Sequence, residues 1–222
     1  TDAAVTFTGK VNNQTNGTPE YLTVNAGSGA VLFSEAVGSS SPSAIDKLGA
    51  VVINSSGDTT FTKTVDATSL TTDAGGRVII KGGRITTSGA QSYGEDMVLA
   101  NSAHATVLNT TNSAVTFTGT VNNQTAGTTE SLTVNAGSGA VLFSETLGNA
   151  DALGAIAINS TGAIQTSLSQ GFTYAGSNGV LNSLSTSTLA NYILPFTSYG
   201  ASTSTVLGFT GGFFSTASST IS

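Results

Sequence analysis

Apolar residues along this chain fall into short alternating triplets: Val5/Phe7, Leu22/Val24, Val31/Phe33, Val51/Ile53, Val78/Ile80 and Val115/Phe117. Side chains two apart on an extended backbone point to one face, so each triplet predicts a short strand with one buried side. Between the triplets lie turn-forming clusters such as Asn25-Ala26-Gly27-Ser28-Gly29 and Asp73-Ala74-Gly75-Gly76. A long helical pattern appears nowhere. Spacings between comparable strands, Phe7 to Val24 and Leu99 to Phe117 among them, come to roughly 17–20 residues, which predicts one coil of a β-helix per interval. A lone coil has nothing to cover its inward face, but coils stacked at about 4.8 Å share one continuous core. The side chains expected to point inward are Phe7, Val24, Phe33, Ile53, Ile80, Leu99, Phe117, Val134, Phe143 and Ile158.

The triplets belong to a longer repeat. Residues 5–35 laid on residues 115–145 are identical at 27 of 31 positions, differing only at Lys10/Thr120, Asn16/Ala126, Pro19/Thr129 and Tyr21/Ser131. The match resumes after a short slip, with Leu48-Gly49-Ala50 against Leu153-Gly154-Ala155 and Ile53-Asn54-Ser55 against Ile158-Asn159-Ser160. A loop insertion around Ser39–Ser43 explains the slip, and solenoids tolerate such insertions because a loop on one face leaves the stacked strands in place. The reading is therefore all-β: a β-solenoid (β-helix) of stacked coils over residues 1–165, carrying the duplicated unit 5–35/115–145, with an atypical C-terminal segment over 166–222.

Composition changes the picture at the surface. Charged residues are 8% of the chain, against about a quarter in ordinary domains. Abundant Thr and Ser take their place. The apolar content is enough to offset the ordering entropy, so the chain is expected to fold. Net charge is −6, which excludes nucleic acid and anionic membranes as electrostatic partners. No apolar run approaches the ~20 residues of a membrane helix, so no membrane insertion is expected. Thr1-Asp2-Ala3-Ala4 has no basic-then-apolar signal region, which reads as a mature product or an excised fragment. Cysteine is absent, as in long repetitive exported proteins and in many cytosolic ones.

The segment after the repeat stands apart. Residues 152–222 hold no Asp, Glu, Lys or Arg, and residues 165–222 carry eight of the fifteen aromatics. Charge-free strands with apolar side chains are templates for pairing with another chain. Residues 166–222 are accordingly either a cap over the solenoid end or an assembly segment, with Tyr192, Phe196, Phe213 and Phe214 as candidate subunit-interface anchors.

The stretch SLTTDAGGRVIIKGGRITTSGAQSYGEDMVLAN (69–101), with AVTFTGTVNN beyond it, resembles the repeat of giant bacterial exoproteins of the filamentous-haemagglutinin kind. The resemblance covers residues 3 to 165. It implies secretion to the bacterial cell surface and a role in adhesion, aggregation or surface coating. Partners would be further copies of the chain, as homo-oligomer or filament, and surface glycans or proteins of a host or neighbouring cell.

Catalytic, metal and cofactor readings find little support in the residues. Glycoside hydrolysis needs two carboxyl groups facing the scissile bond, and the adjacent acids Glu95-Asp96 would alternate across a strand. His104 is the single histidine, and without Cys it makes no conventional zinc site. Gly75-Gly76-Arg77 and Gly82-Gly83-Arg84 read as turns, because a phosphate loop leads into a helix. Asp58, Asp66, Asp73, Glu95 and Asp96 are candidates for calcium, but read better as solvated corner acids. Thr-Phe-Thr triplets at 6–8, 60–62 and 116–118 are too irregularly spaced for an ice-binding ladder. No catalytic residue, metal ligand or cofactor is assigned, and the expectation is a structural protein, not an enzyme. A polysaccharide-active β-helix is the remote alternative.

Overall fold

The structure, a computed structural model, describes residues 2–14, 18–38, 47–101, 103, 105–124 and 129–166, with the backbone of 172–175 and 181–184. All of these lie in the unit Thr1–Leu184, and none is helical. The first strands are β1 (Val5–Phe7), β2 (Leu22–Gly27), β3 (Val31–Phe33) and β4 (Leu48–Ser55). There follow β5 (Thr59–Phe61), β6 (Val65–Thr72), β7 (Arg77–Ile80), β8 (Arg84–Thr87), β9 (Gln91–Tyr93) and β10 (Asp96–Leu99). The second half holds β11 (Ala105–Asn109), β12 (Val115–Phe117), β13 (Val121–Asn123), β14 (Ser131–Gly137), β15 (Val141–Phe143), β16 (Ile156–Ser160) and β17 (Ile164–Thr166). Two further strands, β18 (Phe172–Ala175) and β19 (Leu181–Leu184), pair antiparallel with each other.

Apart from that hairpin every described pairing is parallel, and the strands stack into a β-solenoid of about six turns. Each turn visits three faces in order. The first face is the six-stranded sheet β1-β3-β5-β7-β10-β13. The second begins with the bridges Val11–Val37–Val65 and continues through β8, β11, β14 and β16. The third runs β2, β4, the end of β6, β9, β12, β15 and β17. Strand β6 bends round a corner: Val65–Ala67 pair with β8 while Leu70–Thr72 pair with β9. That bend joins the second and third faces into one 11-stranded sheet.

The predicted coil length needs correction, because most turns are longer and their lengths vary. The advances from Val51 to its partner Leu70, Thr59 to Val78, Val65 to Ile85 and Val78 to Met97 fall in the expected range. Val5 pairs with Val31, Val31 with Thr59, and Met97 with Val121, each a longer advance along the chain. The spacings from Phe7 to Val24 and from Leu99 to Phe117 run from the first face to the third, so they measure two-thirds of a turn. With three short strands per coil, alternation marks each strand but not its face. The insertion at Ser39–Ser43 lies outside the described residues.

The predicted core stands. Val24, Phe33, Ile53, Ile80, Leu99, Phe117, Val134 and Phe143 are buried in a single cluster, and Phe7 and Ile158 are part-buried against it. Burying one such side chain contributes about 1.5–3 kcal/mol. Parallel register places like side chains over one another. Phe7, Phe33 and Phe61 stack on the first face at 4.7 and 5.1 Å between ring centroids, and Tyr93, Phe117 and Phe143 stack on the third at 5.4 and 4.7 Å.

The two aromatic stacks expose a feature of the duplication. Val5–Phe7 lies on the first face, but its copy Val115–Phe117 lies on the third. Likewise β2 is on the third face and its copy β14 on the second. The offset from Val5 to Val115 is thus not a whole number of turns, and the second copy sits one face round from the first. The same sequence makes the same strands and corners on a different side of the triangle. At one such corner, Gly29 and its copy Gly139 press against the carbonyls of Ala3 and Ser113, where a Cβ would collide with backbone.

Candidate functional site

Outward-facing positions of the first face form a shallow groove of about 230 Å³. Strand alternation brings Arg77 and Ile79 of β7, Asp96 and Val98 of β10, and Asn122 of β13 to one surface, rimmed by Gln124 and Asp151. Register sets Asp96 opposite Arg77 and Val98 opposite Ile79. The floor is aliphatic and the rim is amide, carboxylate and guanidinium. The rim groups are already engaged. Arg77 donates two hydrogen bonds to Asp58, at 2.6 and 3.2 Å, and Asp96 Oδ1 accepts the Thr120 N–H at 2.7 Å. Asn122 donates to the Thr120 hydroxyl and accepts the Ala150 N–H.

Behind the groove lies the corner between the third and first faces, and here the acids separate by environment. Glu95 is only 4% exposed, and its carboxyl sits beside the Thr72 hydroxyl. Burial first, then the carboxylates of Asp73, Asp58 and Asp96, push its carboxyl up to about 8, with Thr72 beside it acting the other way. Asp96, next in sequence, is exposed, so the expected alternation of this pair is what the strand delivers. Asp73 accepts the Ser55 N–H at 2.9 Å. On the second face Asp66 meets Arg84 at 3.4 Å, and burial raises its carboxyl against the opposing pull of Arg84 and Lys47. Four of the five acids singled out for calcium, Asp58, Asp73, Glu95 and Asp96, share this corner, and Asp66 lies on the second face; the expectation of solvated acids fails at Glu95 and Asp66, which are buried. Among the described residues no group of three or more His, Cys, Asp or Glu side chains converges to hold a metal ion.

Other expectations resolve simply. Gly75, Gly76 and Gly83 adopt positive φ of 124°, 72° and 68°, so both Gly-Gly-Arg sequences are turns. Leu32 stands between Thr6 and Thr60 in register, which breaks a threonine ladder on that face. No described helix is long and apolar enough to cross a membrane. His104 and the interface candidates Tyr192, Phe196, Phe213 and Phe214 lie outside the described residues.

Two polar features escaped the sequence reading. Asparagines of the duplicated unit stack into ladders: Asn54 donates to Asn25 at 2.7 Å, Asn135 to Asn109 at 2.7 Å and Asn159 to Asn135 at 2.6 Å. The equivalence of Asn54 and Asn159 in the repeat was the available signal. The second feature is a buried network in which the Tyr93 hydroxyl donates to Gln91, and Gln91 donates to the Asn109 carbonyl and the Thr87 hydroxyl. It satisfies a phenol in the core, whose ionisation burial pushes far up.

No protein-family model, curated protein or solved structure matches this chain.

Proposed function

We propose that this chain is an extracellular structural protein of a bacterial surface, a β-solenoid adhesin or surface-filament component that acts by shape and contact, without catalysis. The observation that carries the reading is the single-file core. Each coil touches only its neighbours, so the side chains that hold the body together form columns of Phe, Val, Ile and Asn along one axis. Such a body presents lateral faces to a partner, and the groove over Ile79 and Val98 gives one of them an aliphatic floor with a polar rim for a glycan or protein.

A second reading is favoured by the stretch 152–222, which holds no Asp, Glu, Lys or Arg to oppose pairing with another chain. In it the chain is a self-assembling subunit, joined head to tail through residues 166–222, with Tyr192, Phe196, Phe213 and Phe214 as anchors. Electron microscopy of the purified full chain, with binding of that chain to glycan- and protein-coated surfaces, tests both readings. Rods that hold to such surfaces support the adhesin, and rods that join end to end support the subunit. Isolated particles that do neither would overturn the proposal.

A further inference from the structure

The outward side of the first face differs from the other two. Its register sets Leu32, Thr60, Ile79 and Val98 in one row across β3, β5, β7 and β10. The corresponding row on the second face is polar, running Asp66, Thr86, Asn109, Asn135 and Asn159. On the third face Val52 stands between Thr23 and Thr71. Leu32, Thr60 and Ile79 are part-exposed, and Val98 lies deeper, on the floor of the groove.

Charge is sorted to either side of that row. Over the coils of β5, β7 and β10, the corner that leads into the first face carries Asp58, Asp73, Glu95 and Asp96 against Arg77, which Asp58 holds at 2.6 Å. Over the coils of β1, β3, β5 and β7, the corner that leads out carries Lys10, Lys63 and Lys81 against Glu35. Asp96, Lys63 and Lys81 are exposed. One edge of the face is therefore acidic and the other basic, with an aliphatic row between them. Asp58 and Lys63 flank the same strand, β5.

We infer that the first face is a pairing surface between two parallel copies of this chain, related by a two-fold axis that runs along the stack of coils. Charge and symmetry select this occupant. Rotation about such an axis keeps each coil at its own height and exchanges the two edges, so the acidic edge of each copy lies along the basic edge of the other. Asp58 then faces Lys63 of the second copy at the height of β5, and the aliphatic rows meet between the edges. A two-fold axis running across the face instead sets acids against acids and lysines against lysines, which opposes association. The surface measures roughly 25 Å along its six strands and roughly 13 Å across three outward positions, which puts the pair among small, transient interfaces. The inference rests on the reading of this face as a contact surface, names a second copy as its occupant, and uses no part of 166–222.

The test places single thiols in the outward row of the full, cysteine-free chain. In the parallel pair every residue of that row meets its own copy. Leu32→Cys and Ile79→Cys are therefore each expected to join to themselves through a bismaleimide matched to the ~10 Å spacing of packed sheets, whereas an antiparallel pair allows at most one of them. Charge exchange supplies a second arm. In the Ile79→Cys chain, Lys63→Glu with Lys81→Glu turns the basic edge acidic, and Asp58→Lys with Asp96→Lys turns the acidic edge basic. Each variant alone is expected to cross-link on the order of tenfold more slowly, and mixing the two restores the rate in a hetero-pair. Circular dichroism checks that both keep their β-sheet, and the thiol arm does not depend on them. Folded charge variants that cross-link as fast as the parent, or fail to recover on mixing, overturn the pairing. So does a parent that gives no cross-link into the millimolar range, which leaves the face to a glycan or a different protein. The adhesin reading stands or falls separately, on binding to coated surfaces.

Discussion

Glu95 shows how a single position is set by its place in the solenoid. The residue lies between β9 and β10 at a corner, so its carboxyl is taken from water and given acidic neighbours, with only Thr72 acting to lower it. A carboxyl held up to about 8 in the folded chain, against an unfolded value of 4.5, keeps its proton better folded than unfolded. Its contribution to stability is therefore full below the unfolded value, falls as pH rises between the two, and is flat above the folded value. Glu95→Gln removes the ionisation and nearly keeps the shape. We predict unchanged stability at pH 4 and a gain on the order of 1–3 kcal/mol at pH 8, where a buried carboxylate is costly. Urea denaturation at the two pH values checks this, and equal effects at both would contradict it. The alternation of Glu95 and Asp96 across a strand was legible in the sequence. The burial was not, because it depends on which corner the strand adjoins.

At the scale of strands, the duplicated sequence makes an internal control. Phe7 and Phe117 share the local sequence Val-Thr-Phe-Thr-Gly and each stacks on the ring that follows, at 4.7 Å in both cases. Among the described residues only Phe117 also has a ring before it, Tyr93 at 5.4 Å. Phe117→Ala opens a cavity between two covered coils and should cost about 3–5 kcal/mol. Phe7→Ala removes a ring that packs on one side only, and should cost roughly half as much or less. Thermal or chemical unfolding of the two variants decides the matter, and equal costs would contradict a contribution from the Tyr93 ring. The alternation Val5/Phe7, Val31/Phe33 and Val115/Phe117 made these strands and their inward side legible in advance. The length of each turn was not, since the short coil from Thr59 to Val78 and the long one from Val31 to Thr59 both open on a triplet that ends in Phe, Val31–Phe33 and Thr59–Phe61, which says nothing of how far the chain runs before the next. For the same reason the groove over Ile79 and Val98 was invisible: its residues come from three coils that no local pattern connects.

For the whole molecule, the account is a solenoid in which two near-identical sequences lie on different faces. The cross-section tolerates this because all three faces are built alike, from short parallel strands with small or flexible corners. Stability in such a body is a sum over neighbouring coils, so the end coil is expected to open first. Amide hydrogen exchange in the dilute chain tests this arrangement most directly, since Thr8 and Thr118 sit in identical pentapeptides and differ only in fold. Thr118 donates its N–H to Tyr93 on the coil before it at 2.9 Å, and Thr8 has no described coil before it. Ser34 and Ser144 serve as controls, each bonded at 2.9 Å to the carbonyl of the stacked Phe7 or Phe117. We predict strong protection at Thr118, Ser144 and, to a lesser degree, Ser34, with exchange at Thr8 close to that of an unstructured peptide. Equal rates at Thr8 and Thr118, whether both fast or both slow, would contradict the account.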